Sequence, residues 1–374
     1  MAFELSGDIN VNNRSSEGHS NEVIGKIVLG HEKVGITPVF EAYWRFAAER
    51  QKIFFKRVEG ANQEILTEDA VLQMFKFTNS YRASDRVSQF LIKNVIYDDK
   101  SLMSSEEIFF RVMLFKFFNK IETWQLLEAE LGRIELASFN FDTYNQILSD
   151  RLQAGERIYS AAYIMPSAGN KFGYKLKHQN HLRLIEFMLD QNYPQRISDA
   201  ETMSDAYDTL LAVHSIGPFL AYQFITDLNY SPLTDFSETE FVVAGPGALD
   251  GISKCFVGSE KLSPGEIITY MASNQDQWFE TFDIKFPSLW DRPLQLIDCQ
   301  NLFCEISKYS RVAFPQIAGM SGRTRIKQKY FPQGRPPQPW YPPKWGLNDK
   351  IDKHENNAQT GASQAASAVQ YTLL

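Results

Sequence analysis

The stretch Leu210-Leu211-Ala212-Val213-His214-Ser215-Ile216-Gly217-Pro218-Phe219-Leu220-Ala221-Tyr222-Gln223-Phe224-Ile225-Thr226-Asp227 decides the fold. It reads as a helix, a tight turn ending in glycine, and a second helix. Gly217 supplies a backbone position free of Cβ sterics. Pro218 follows at the first helical position, where a missing N–H costs nothing. Leu220, Phe224 and Leu228 repeat at helical spacing, so the second helix has an apolar face. The amides of Ile216 and Gly217, beside Ser215 and the positive end of that helix, suit a phosphate of a nucleic-acid backbone. The competing reading is an ordinary connection between two packed helices.

Outward from this pair, apolar periodicity predicts helices over 37–58, 67–79, 84–95, 104–119, 141–155, 177–192, 263–271 and 296–309. Phe241-Val242-Val243 is the best strand signal. The class is mainly α. Residues 1–35 read as a polar leader, 36–316 as the helical body, and 317–374 as an extension. That extension holds a basic run (Arg323, Arg325, Lys327, Lys329), a Pro-rich arm carrying Trp340, Tyr341 and Trp345, and a polar tail expected to be disordered. The basic run is either a solvated segment or a nucleic-acid contact.

With 374 residues, 44% hydrophobic and 28 of them Phe, the chain has material for a large core. A net charge of −7 excludes a protein coated in basic side chains, but leaves room for a local basic groove. The three cysteines, Cys255, Cys299 and Cys304, have no metal-ligand spacing and suit a reducing compartment. The N-terminus carries no secretory pattern and no stretch reaches membrane-span length, which predicts a cytoplasmic protein without a membrane partner. His178 and His181 have metal-like spacing but no third ligand, so no metal and no cofactor are expected.

Several clusters place polar residues where a plain core does not ask for them. Around Tyr81, Arg82 and Arg86 sit one helical turn apart with Asp85 able to brace either, a fork for phosphate or carboxylate. A structural ion-pair network explains the same residues. Lys171 follows a small-residue turn (Pro166-Ser167-Ala168-Gly169-Asn170) and can approach a phosphate, or sit in a plain loop. On the 296–309 helix, Asp298, Asn301 and Glu305 share a face that Lys308 extends; beside them Gln300 adds a second amide. Such a face can read a base edge, or be simply solvated.

The turn at 215–217 resembles the helix-hairpin-helix element of DNA glycosylases. That resemblance implies an essential carboxylate about twenty residues beyond the glycine, a distance Asp235 and Glu238 bracket. Asp235 also reads as a helix cap. Phe219 stands where strand-cutting glycosylases carry lysine, which implies no Schiff-base chemistry there. The segments Trp44-Arg45-Phe46-Ala47-Ala48-Glu49-Arg50-Gln51, Phe77 through Arg86, Gly245-Pro246-Gly247-Ala248 and Asp298 through Glu305 together resemble the alpha-glutamyl/putrescinyl-thymine pyrophosphorylase family. That family is also named for the helical domain of 5-hydroxymethyl-deoxyuridine DNA kinases. The likeness spans 37–315. It implies a fold related to helix-hairpin-helix glycosylases, two-lobed, with a cleft near 205–240. It also implies functional positions at Arg82, Asp85, Asp298, Gln300, Asn301 and Glu305.

No G-x-x-x-x-G-K-[ST] phosphate loop occurs, so kinase chemistry is not expected. The leading expectation is a DNA glycosylase-like hydrolase acting on a hypermodified pyrimidine, plausible in defence against phage. It would flip the base, stack it on a ring such as Tyr81 and break the N-glycosidic bond with Asp235, Glu238 or Asp298. Ser215, Ile216, Gly217, Lys171 and Lys308 would hold the DNA backbone. One alternative is a transferase that replaces pyrophosphate on a hydroxymethyl-pyrimidine with an amine. The other is a sensor of modified DNA.

Overall fold

The computed structural model describes residues 21–60, 65–98, 103–332 and 337–352. In chain order, its strands are β1 (Gly25–Leu29), β2 (Glu32–Ile36) and β3 (Phe256–Val257). The helices are α1 (Pro38–Val58), α2 (Ala70–Met74), α3 (Arg86–Phe90), α4 (Ser105–Phe118), α5 (Ile121–Leu131), α6 (Phe141–Gln153), α7 (Gly169–Phe172) and α8 (Lys177–Asp190). They continue with α9 (Tyr193–Ser198), α10 (Met203–Leu211), α11 (Pro218–Leu228), α12 (Pro246–Cys255), α13 (Pro264–Ser273), α14 (Gln275–Thr281) and α15 (Leu296–Ala313). The protein is mainly α, as its periodicity predicts. Its contacts divide it into two compact units. The first comprises Met1–Ser84, Val242–Pro339 and Gly346–Leu374; the second comprises Asp85–Phe241 and Trp340–Trp345. No described helix is long and apolar enough to cross a membrane.

The first unit is built on α1, α12 and α15. Thr37 caps α1 by accepting the Val39 N–H, and Pro38 opens the helix. Phe40, Trp44 and Trp278 are fully buried, with Phe40 edge-on to Trp278 at 4.8 Å between centroids. Burying each such ring contributes about 1.5–3 kcal/mol. Helices α12 and α15 approach so closely that a Cβ on Gly251 would lie 2.0 Å from the Phe303 carbonyl oxygen. Only glycine permits that approach.

Three readings change here. Part of the segment read as a leader forms a hairpin, β1 against β2, with Gly30 at φ 59 in its turn. Ile27, Leu29, Val34 and Ile36 are its buried apolar side chains, a period-2 signal interrupted by the exposed Val28. β3 extends this antiparallel sheet. The strand expected at 241–243 is irregular instead. The helix expected over 67–79 stops at Met74, because beyond it the backbone bonds elsewhere. Lys76 N–H donates to the Gln328 carbonyl and Thr78 N–H to Glu305.

In the second unit, α4 is buried all round from Ile108 to Phe118 and forms the centre. Ser104 caps it by accepting the Glu107 N–H, and Asn119 ends it at φ 49. The helix expected over 84–95 breaks into α3 and a π-helical turn, Leu91–Ile96. Asp85 is the N-cap residue of α3, whereas Arg82 belongs to a separate 3-10 turn, Arg82–Ser84. No single helix therefore carries Arg82 and Arg86 one turn apart. Arg82 is 2% exposed, while the exposed Arg86 guanidinium lies 3.8 Å from Glu122.

Candidate functional site

In the first unit, α1 and α15 hold the irregular segment 78–82 between them. Asp298 Oδ1 accepts the Arg82 N–H at 2.8 Å, and its Oδ2 accepts the Gln295 N–H at 3.0 Å, closing a capping box at the start of α15. Two turns on, Glu305 Oε2 accepts the Thr78 N–H at 3.0 Å and meets Lys308 Nζ at 2.7 Å. From α1, Arg50 Nε donates to the Thr78 carbonyl at 2.9 Å and Nη2 to Asn79 Oδ1 at 3.1 Å. Ser80 Oγ donates back to the Ala47 carbonyl. An acid at each end and an arginine on the carbonyls thus fix this segment's backbone. Tyr81, 1% exposed, donates its hydroxyl to the Arg292 carbonyl and accepts the Leu289 N–H. Burial pushes that phenol well above its usual range, so it stays protonated.

The α15 face is therefore buried rather than solvated: Asp298, Gln300, Asn301 and Glu305 are 4%, 0%, 8% and 6% exposed. Asn301 lies between the two anchored carboxylates at helical spacing. Among the described residues its amide has no hydrogen-bond partner. Gln300 sits on another side of the helix, its Nε2 3.4 Å from Cys304 Sγ and its Oε1 unbonded. The buried Gln51 on α1 has neither amide atom bonded within the protein, and the Thr78 hydroxyl is likewise unbonded. Buried polar atoms normally find a partner, so Gln51, Thr78 and Gln300 are each positions open to a water or ligand group. Gln51 was legible: it interrupts the apolar stripe of Phe40, Trp44, Ala47 and Phe54 at the stripe's own spacing.

The 215–217 turn in the second unit departs from its reading. Gly217 is extended at φ −85, with open space where a Cβ would go, whereas Ser215 takes the left-handed conformation at φ 68. The Ile216 N–H donates to the Val213 carbonyl and is not available to a phosphate. Pro218 does open α11, and Phe219 stacks on Tyr163, with centroids 5.7 Å apart. Asp235 is on an irregular loop and caps no helix; its side chain is 86% exposed and lies 3.3 Å from Lys344 Nζ. Glu238 follows on the same loop, half-buried. The loop is held by Asn229, whose amide bonds the Phe236 backbone and the Thr234 hydroxyl. Lys171, on α7, rests its ammonium 3.4 Å from the centre of the Phe187 ring.

Sequence reasoning missed the charge buried in this unit. Lys116 Nζ meets Asp227 Oδ2 at 3.0 Å, with both side chains no more than 4% exposed, and also donates to Asn119 Oδ1. A lysine inside the run Val112-Met113-Leu114-Phe115-Lys116-Phe117-Phe118 was the available signal, because a buried ammonium needs a partner. His178 and His181 are buried in polar networks. His181 bonds the Tyr159 hydroxyl through Nδ1 and the Pro166 carbonyl through Nε2. A neutral ring with its proton on Nε2 satisfies both. Burial lowers His181 to about 4. Among the described residues no three His, Cys, Asp or Glu side chains form a metal-binding group. An open groove of about 870 Å³ on the first unit, lined by Arg45, Glu49, Lys52, Asp69, Lys285 and Tyr309 among others, includes none of the predicted site residues.

Residues 37–319 match the family described as the helical domain of 5-hmdU DNA kinase. The chain is 23% identical over 291 residues to a 5-hmdU DNA kinase of Bacillus phage SP10. The alignment covers 72% of this chain and 45% of that protein, so the chain matches less than half of the relative's length. No solved structure matches significantly. With more than half of its residues matched, this chain belongs to the 5-hmdU DNA kinase helical-domain family.

Proposed function

We propose that this chain is an enzyme of modified pyrimidines in DNA, and that it removes such a base by N-glycosidic cleavage. The observation that carries the reading is the unbonded amide of Asn301, held between Asp298 and Glu305 on a face whose other polar groups are fixed. An amide presents one donor and one acceptor side by side, the complement of a pyrimidine's edge. The relative's substrate, 5-hmdU in DNA, supports a base bearing a hydroxymethyl group or a derivative of it.

In this reading the target base leaves the helical stack and Asn301 reads its edge. Asp298, immobilised by two backbone amides, stabilises the positive charge that develops on the sugar as the glycosidic bond breaks. A water takes the anomeric carbon, the base departs with the electron pair of the broken bond, and a proton from that water neutralises it. Lys308 contacts the backbone. The absence of a phosphate loop from these residues favours this over phosphoryl transfer from a nucleotide.

The test is incubation of the purified protein with duplexes carrying 5-hydroxymethyluracil or its derivatives, followed by alkali, a gel and mass spectrometry. Alkali-labile sites plus free modified base are expected. Intact strands with no released base would overturn the cleavage step. A changed base mass would then point to group transfer, and binding without any product to a sensor.

A further inference from the structure

One basic segment of the first unit takes no part in the site described above. Over 321–332 the sequence is Ser-Gly-Arg-Thr-Arg-Ile-Lys-Gln-Lys-Tyr-Phe-Pro, with four cations and no acid, in a chain whose net charge is −7. The cations occupy alternate positions, Arg323, Arg325, Lys327 and Lys329, and all four are exposed, whereas Ile326 and Tyr330 are half-buried. In an extended backbone alternate residues share a side and recur about every 7 Å.

The segment is laid down at several points rather than left loose. The Ser321 N–H donates to Asp250 Oδ1 at 2.6 Å, and Arg311 Nη1 donates to the Arg325 carbonyl at 3.2 Å. The Lys76 N–H reaches the Gln328 carbonyl and the Tyr330 N–H the Met74 carbonyl, both at 3.0 Å, around a bridge between Phe75 and Lys329. These bonds use backbone, so the four cationic heads are left for solvent. Among the described residues none of the four has a carboxylate within ion-pairing distance. Lys76, also exposed, adds a fifth cation beside them. Like charges gathered on anchored backbone repel one another unless a polyanion lies over them.

We propose that Arg323, Arg325, Lys327 and Lys329 form a contact with the phosphate backbone of duplex DNA. The inference rests on the reading that DNA is the substrate. Regular spacing of positive charge on anchored backbone suits backbone positioning, which is independent of sequence. Each phosphate neutralised lowers the slope of log affinity against log salt by about 0.9, so four contacts account for a slope of about −3.6.

The test uses the full chain and a 30-base-pair duplex, with affinity measured from 50 to 200 mM salt. The variant carries R323Q, R325Q, K327Q and K329Q. A control carries K26Q, K175Q, K261Q and K285Q, an equal charge loss at exposed sites elsewhere, and thermal melting verifies that both fold. The four-site variant is expected to flatten the slope by about 3 to 4, equivalent to about 100-fold in salt sensitivity across this range. The control should change it by less than 1, and the effect should be equal for modified and unmodified DNA. An unchanged slope, an equal effect of the control, or binding confined to single-stranded RNA would overturn the proposal. Retained preference for modified DNA with an unchanged slope removes this contact but not the proposed function. A flattened slope without any preference for modified DNA does the reverse.

Discussion

The two units treat charge in opposite ways. In the first, the carboxylates of Asp298 and Glu305 are buried and bonded to backbone N–H groups of one short segment, and an amide between them is unused. In the second, the carboxylate singled out by its distance from the hairpin, Asp235, is 86% exposed, and the buried acid is Asp227, sealed against Lys116. The first arrangement positions backbone and leaves a recognition group over. The second holds a core together. Burial of polar residues is common to both; in the first unit the buried acids spend themselves on backbone N–H groups, and in the second the buried acid is neutralised by an ammonium.

The largest effect that would break this contrast is expected at Lys116. K116M leaves Asp227 buried without its ammonium and should destabilise the second unit by about 3–5 kcal/mol in chemical denaturation. K116M combined with D227L should recover most of that loss. If K116M folds normally yet abolishes activity on DNA, the pair is functional and the contrast fails.

Next in size is a pH effect. Burial depresses His181 to about 4 from an ordinary value of 6.5, so the unfolded chain binds the proton more readily. Stability contributed by the neutral ring is complete above pH 6.5 and is lost as the pH falls from 6.5 towards 4. The loss is on the order of 3 kcal/mol, at about 1.36 kcal/mol per pH unit. His178, also lowered by burial, acts in the same sense. Denaturation of the wild type and H181Q across pH 4–7 measures it, and an equal slope in both would remove His181 as the cause.

The smallest effect is expected at Asp235. D235N should leave the melting temperature unchanged, since an exposed ion pair contributes little. If the hairpin spacing identifies a catalytic group, D235N abolishes base release despite that unchanged stability. If Asp298 is the acting carboxylate, base release survives.

Much of the fold was legible because most helices carry both a stripe and a start signal. Thr37-Pro38 opens α1 and Ser104 opens α4 where the sequence places them. Where the reading failed, a tertiary bond had replaced a local one. The helix after Asp69 is cut short because Lys76 and Thr78 spend their N–H groups on distant partners. No helix was expected over 246–255, although Gly245 is the N-cap of α12 and Pro246 opens it. The polar row of α15 was visible by spacing, but its burial was not, because nothing local announces that residues 78–82 will cover it. At the hairpin, Gly217 was read as the position that needs freedom from Cβ sterics, and the left-handed conformation falls two residues earlier, at Ser215.

The central claim is that the unused amide of Asn301 reads the base. It is tested most directly by comparing wild type and N301A for binding to duplexes that carry 5-hydroxymethyluracil or 5-hydroxymethylcytosine at one site, two bases with the same C5 group and different edges. The account predicts an unchanged melting temperature and a loss of about 5- to 100-fold in preference for 5-hydroxymethyluracil, the size of one bidentate pair. Preference retained in N301A, or a sharp fall in melting temperature showing that the amide is needed by the fold itself, would contradict it.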